Sequence, residues 1–167
     1  CKERGNKMNK AETYEFLNKS GINYEITEHK AVFNMEELGE VKLPYPEFDA
    51  KNLFVRDDKK QNYYLITVKG DKRVNLKEFR KKYGLRNLSF ASAEELMKIM
   101  GLTPGSVTPL GLLNDEEHIV KFYLDSEFNG TLIGVHPNDN TATVWLKSED
   151  LIKIIKEHGN EVSLAEI

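Results

Sequence analysis

The sequence predicts an α+β domain, mixed α/β in order, with a largely antiparallel central sheet flanked by helices. Three observations carry that prediction. The β-rich runs Ala50–Arg56 and Tyr63–Val68 are joined by the short polar segment Asp57–Asn62, the pattern of a hairpin. Three more such runs, Ile119–Leu124, Thr131–Val135 and Thr141–Leu146, are punctuated by Asn, Asp and Gly turns. The helical segments do not alternate regularly with these strands, which argues against a doubly wound parallel sheet.

Along the chain, Cys1–Lys7 is polar, has no apolar core, and reads as an extension upstream of Met8, with residues 8–167 as one domain. Residues 10–20 put Tyr14, Phe16 and Leu17 on one side of a helix that Gly21 stops. Ile22–Ile26 alternates as a strand ending near His29, and Asn34 with Glu37 opens a short helix that Gly39 ends. Leu43–Pro46 is a surface loop. Residues 75–83 form a basic helix with Leu76 and Phe79 inward. Ser92 with Glu95 opens the next helix, which buries Leu96, Ile99 and Met100 before Gly101. Ser148 caps a last helix, Glu149–His158, which Gly159 stops.

Hydrophobic residues at 40% and charged residues at 31% are those of an ordinary globular chain. No apolar run reaches the ~18–20 residues a membrane span needs. The single cysteine lies in the 1–7 extension, so the body has neither disulfide framework nor thiol nucleophile, and a reducing, cytoplasmic setting follows. His29, His118, His136 and His158 are scattered without metal-binding spacing, and no P-loop or dinucleotide fingerprint appears. The expectation is no metal and no cofactor.

Net charge is −3, yet residues 69–86 hold eight basic residues against two acidic ones. Such a patch suits one end of a polyanion, or else is a solvated helix face. The segment Gly105-Ser106-Val107-Thr108-Pro109 sits in an eleven-residue run, Gly101–Gly111, with three glycines and two prolines. Glycine opens backbone conformations and proline fixes them, so this is a rigid loop offering main-chain N–H groups to a carbonyl, a carboxylate or a developing oxyanion. The alternative is a loop that only turns a corner. Lys51, at a strand mouth, is either a phosphate or carbonyl contact or a solvated strand-end lysine. His136, where a strand gives way to Pro137–Asn140, is either an acid, base or clamp, or merely exposed.

Taken in order, His29-Lys-Ala-Val-Phe33, Lys51-Asn-Leu-Phe54, Tyr63-Tyr-Leu65, Gly105–Pro109 with Leu110-Gly111, and His136-Pro-Asn-Asp-Asn-Thr-Ala-Thr143 resemble one family. It is the bacterial prolyl-tRNA editing family, made up of the prolyl-tRNA synthetase insertion domain and its free-standing YbaK-like and ProX-like relatives. The resemblance spans about residues 9–164. It implies a free-standing, cofactor-independent deacylase of tRNA(Pro) carrying a wrong amino acid, with prolyl-tRNA synthetase as a possible partner and no membrane role. The His136–Thr143 run and the ending helix are similar to the alanine-removing ProX-type branch, which implies alanyl-tRNA(Pro). Cysteinyl-tRNA(Pro), another small residue, or a non-catalytic binding module are the alternatives. By resemblance, Gly105, Lys51 and His136 act at the reaction: the loop polarises the ester carbonyl, Lys51 contacts the 3′-terminal phosphate or positions the ester, and His136 assists water. Phe33, Asn34, Asn52, Ser106, Val107, Thr108 and Pro109 would line the substrate. Asn34 stands where relatives often have threonine, which puts any role of that hydroxyl in doubt. Lys72, Arg73, Lys77, Arg80 and Lys81 would meet the acceptor stem through phosphates.

Overall fold

In the computed structural model, which describes residues 8–29 and 43–167, the predicted hairpin is β2 (Ala50–Asp57) and β3 (Tyr63–Lys69). They pair antiparallel with Asn52 opposite Thr67 and Leu53 opposite Ile66. Asp57 fixes the turn by accepting hydrogen bonds from the Gln61 N–H and the Asn62 amide. A short strand, β4 (Leu88–Phe90), adds antiparallel to β2. On the other side, β5 (Val120–Asp125) runs parallel to β3, and β8 (Val162–Ala165) parallel to β5. A second sheet joins β1 (Tyr24–Glu28), β7 (Ala142–Lys147) and β6 (Leu132–Val135), all antiparallel, in the order β1-β7-β6.

The architecture is thus a mixed α/β fold, but its five-stranded sheet is only half antiparallel. A parallel pair needs a long crossover, and here residues 70–119 supply it between β3 and β5. Local sequence patterns register hairpins and miss such pairings. The strands β4 and β8, three and four residues long, were below what periodicity resolves.

Strand alternation gives the larger sheet two faces. Val55, Tyr64, Ile66 and Val68 pack on one face with Phe79 of α2 (Leu76–Lys82). On the other, Phe54 and Leu65 join Leu17 of α1 (Lys10–Lys19), Leu96 and Met100 of α3 (Ala93–Met100), and Leu151, Ile154 and Ile155 of α4 (Ser148–His158). The caps follow the sequence: Asn9 with Glu12 and Ser92 with Glu95 form reciprocal capping boxes, and Gly101 leaves α3 at φ 68°. Ser148 departs from expectation. It is the first helical residue rather than the cap, and its buried hydroxyl donates to the Phe128 carbonyl at 2.6 Å. Ile99 is half-buried, not buried.

The two sheets touch through a parallel bridge between Asp49 and Gly134. Gly134 is required there, since a Cβ would lie 2.3 Å from Cζ3 of Trp145, whose indole N–H donates to Thr27 Oγ1. No helix among the described residues is long and apolar enough to cross a membrane. The upstream residues 1–7 and the helix expected from Asn34 lie outside the described residues.

Candidate functional site

The Gly/Pro run folds as two 3-10 turns separated by an extended pair. Pro104–Ser106 forms the first and Pro109–Asn114 the second, each with proline at its start, where a missing N–H costs nothing. The Ser106 N–H donates to Thr103 O, and the Gly111 N–H to Thr108 O. The Gly105 N–H takes no acceptor among the described residues, whereas the Val107 N–H closes the turn that begins at Pro104; both residues are half-buried. Gly111 lies close under its neighbours: a Cβ there would meet Leu102 Cδ1 at 2.5 Å and Met100 Cε at 2.9 Å, so those side-chain ends would have to move. The loop is therefore rigid, with Ser106, Thr108 and Pro109 buried beneath it.

Two side chains hang this loop on the sheets. Asn52 donates from Nδ2 to the Val107 carbonyl at 3.2 Å, while its Oδ1 accepts from the buried Thr67 hydroxyl at 2.6 Å. The first bond fixes which way the amide faces, since a carbonyl can only accept. Thr108, fully buried, donates its hydroxyl to the His136 carbonyl at 2.6 Å and accepts from the Leu110 N–H at 3.3 Å. The loop and His136 are thus joined directly, across 28 residues of sequence.

His136 Nδ1 lies 2.9 Å from the Ala142 carbonyl, which can only accept, so Nδ1 carries the proton and Nε2 of the neutral ring is left as an acceptor. Burial pulls the imidazole below the ordinary histidine value; the Ala142 bond opposes this and the nearby His29 charge adds to it. His29 sits edge-on to His136 with ring centroids 6.2 Å apart. Its Nε2 is 3.0 Å from the hydroxyl of Thr143, and its N–H donates to Thr141 O. At the bridge to Gly134, Asp49 is buried, and burial pushes its carboxyl up to about 7 against the opposing Ala50 N–H.

Other predicted residues fall elsewhere. Lys51 alternates with Asn52 and lies on the opposite face of β2, where its ammonium donates to the Lys72 carbonyl. It is not brought to the loop and His136. Phe33 and Asn34 lie outside the described residues. In the basic segment, Lys72 is tied to the buried Asp125 at 2.7 Å and to Glu127 at 3.2 Å. Lys82 pairs with Glu166 and Arg86 with Asp58. Arg73, Lys77, Arg80 and Lys81 make no ion pair among the described residues. Lys77 and Arg80 flank a cavity of about 250 Å³ between α2 and β4, completed by Leu76, Asn87 and Leu88. That face of the sheet is the one away from the loop.

Sequence reasoning missed Thr67 and Thr143, the hydroxyls that anchor Asn52 and His29. Buried threonines inside β-rich runs look like ordinary strand formers, and only the cross-strand register shows their partners.

The chain matches the family model described as aminoacyl-tRNA editing domain over residues 29–154. It is similar to the prolyl-tRNA editing protein ProX of Acetoanaerobium sticklandii, with 41% identity over 152 residues covering 90% of this chain and 93% of that protein. It is also similar to the mouse prolyl-tRNA synthetase associated domain-containing protein 1, at 35% identity covering 91% of this chain and 92% of that one. In fold it resembles a crystal structure described as that of a candidate trans-editing enzyme for prolyl-tRNA synthetase. The TM-score is 0.65 at 19% identity, covering 96% of this chain and 98% of the other.

Proposed function

Because this chain belongs to the aminoacyl-tRNA editing domain family, whose chemistry is hydrolysis of the ester between tRNA and a wrong amino acid, we propose that its Gly105–Pro109 loop and His136 hold that ester on mischarged tRNA(Pro). The observation that carries the reading is the 2.6 Å bond from Thr108 to the His136 carbonyl, which joins loop and histidine in one rigid frame. The unaccepted N–H of Gly105 is a donor for the ester oxygen as it gains charge. Asn52 holds Val107 in that pose from behind. The Nε2 of neutral His136 accepts a proton from water or a ribose hydroxyl, its tautomer set by Ala142. The chain's own residues thus supply polarisation and orientation.

Alanyl-tRNA(Pro) is the substrate we favour. A pocket shaped for proline cannot strongly reject a smaller side chain, so a synthetase needs a second, smaller site to remove it. Prolyl-tRNA synthetase is the source of such a product, and the cytoplasm the place of work. Deacylation of tRNA(Pro) charged with alanine, cysteine, serine and proline tests this. Alanine is expected to be released fastest and proline spared; equal rates on all four would refute the size filter, and no rate above uncatalysed hydrolysis would leave a binding module.

Arg73, Lys77, Arg80 and Lys81 remain the proposed phosphate contacts for the acceptor stem, with Lys72 occupied by its carboxylate partners. Since α2 covers the far face of the sheet, the stem has to pass its edge. Reversing Lys77, Arg80 and Lys81 should weaken tRNA binding and flatten its salt dependence while sparing a short aminoacyl ester. Lys51→Ala tests the remaining proposal for that lysine, and unchanged activity removes it from the site.

A further inference from the structure

The geometry points to Lys69 as the cation that meets the phosphodiester on the 5′ side of the terminal adenosine, an inference that rests on the deacylase reading above. Three lysines cluster where β2 begins and β3 ends, and two are committed inside the fold. The Lys51 ammonium donates to the Lys72 carbonyl, and the Lys72 ammonium is held by Asp125 and Glu127. Lys69 has no carboxylate or carbonyl partner among the described residues. Its ammonium instead stands over the rings of Phe48, 5.5 Å from the centroid, and Phe128, 5.9 Å from the centroid. Aromatic faces hold a cation in place without neutralising it, so this half-buried charge is oriented and available to an anion.

Its position matches the substrate's chemistry. Alternation sets Lys69 on the same face of β3 as Thr67, the residue that anchors Asn52 and through it the loop. Two strand residues separate their Cα atoms by ~7 Å. An aminoacyl ester on a terminal ribose carries its nearest anion one ribose away, on the phosphodiester. A loop that grips the ester and a cation displaced along the strand would read both ends of that ribose.

The test compares three substrates: alanyl-tRNA(Pro), 3′-O-alanyl adenosine 5′-phosphate, and 3′-O-alanyl adenosine, which has no phosphate. Lys69→Gln should raise KM for the first two by about tenfold, the size of one lost charged contact, and leave the third unchanged. Lys69→Arg should restore most of the loss. Phe48→Leu, which keeps the charge but removes one ring, should give a smaller rise on the same two substrates and covers the case in which Lys69→Gln does not fold. Equal losses on all three substrates, or none, would overturn the assignment while leaving the deacylase reading intact. If the wild-type protein hydrolyses none of the three, that reading fails and the assignment with it.

Discussion

Replacing Thr108 by valine removes one hydroxyl from a fully buried side chain and keeps its branched shape. Two partners are then left without it: the His136 carbonyl, bonded at 2.6 Å, and the Leu110 N–H, bonded at 3.3 Å. A buried polar group stripped of its partner costs ~1–3 kcal/mol, and the longer bond belongs at the low end. Together they give a loss of about 2–3 kcal/mol, which for a chain of this length lowers Tm by roughly 5–10 °C. Thr108→Ser keeps the hydroxyl and loses only a methyl, worth ~1 kcal/mol. Urea or thermal unfolding of both variants reads the stability difference, and deacylation of alanyl-tRNA(Pro) at 25 °C, where both remain folded, reads the site. Without the bond, the loop and His136 lose their common register, and kcat/KM should fall about tenfold for valine and little for serine. The reasoning is refuted if the valine variant is no less stable than the serine variant and hydrolyses the ester at the wild-type rate.

Asp49→Asn should act through pH. The buried carboxyl is raised from 3.8 to about 7, so its favourable contribution is complete below about 3.8 and is lost as pH rises through 7. The asparagine variant should match wild type near pH 4 and exceed it above pH 7 by up to about 4 kcal/mol, read by urea unfolding at the two pH values. Gly134→Ala forces a methyl into the Trp145 indole, 2.3 Å from Cζ3, and should cost at least ~1–3 kcal/mol with a changed tryptophan emission. Because burial holds His136 below the ordinary histidine value, deacylation corrected for uncatalysed loss should be flat through neutrality and fall only below pH ~6.5; an acid limb centred above pH 7 would contradict the neutral imidazole.

The parts of the fold legible in sequence are those determined by neighbours. Asp57 and Asn62 bond each other across a turn they occupy together, and Ser92 and Glu95 cap a helix they begin. Pro104 and Pro109 start the turns that the Gly/Pro pattern announces. What lay hidden depends on distant pairing. The β3–β5 register exists only after a crossover closes, and Lys72 has partners 53 and 55 residues away. Lys51 shows the same limit at the scale of one residue: a strand position is visible in sequence, but which face it takes is set by its partner strand. His136 and the loop were legible as candidates because turns and Gly/Pro punctuation are local. That Thr108 joins them was not.

The bond from Thr108 to His136 spans two independently paired sheets. The loop hangs from the larger one by Asn52, whereas His136 ends a strand of the smaller one. The width of the space between them is consequently a docking tolerance, set wherever the sheets press together, including the parallel bridge of Asp49 with Gly134. A filter that separates side chains differing by one or two carbons can be no finer than that tolerance. Substitutions that shift the seam by a few tenths of an ångström should therefore alter which amino acid is released without touching it, and discrimination between alanine and proline becomes a gauge of how tightly two β-sheets fit.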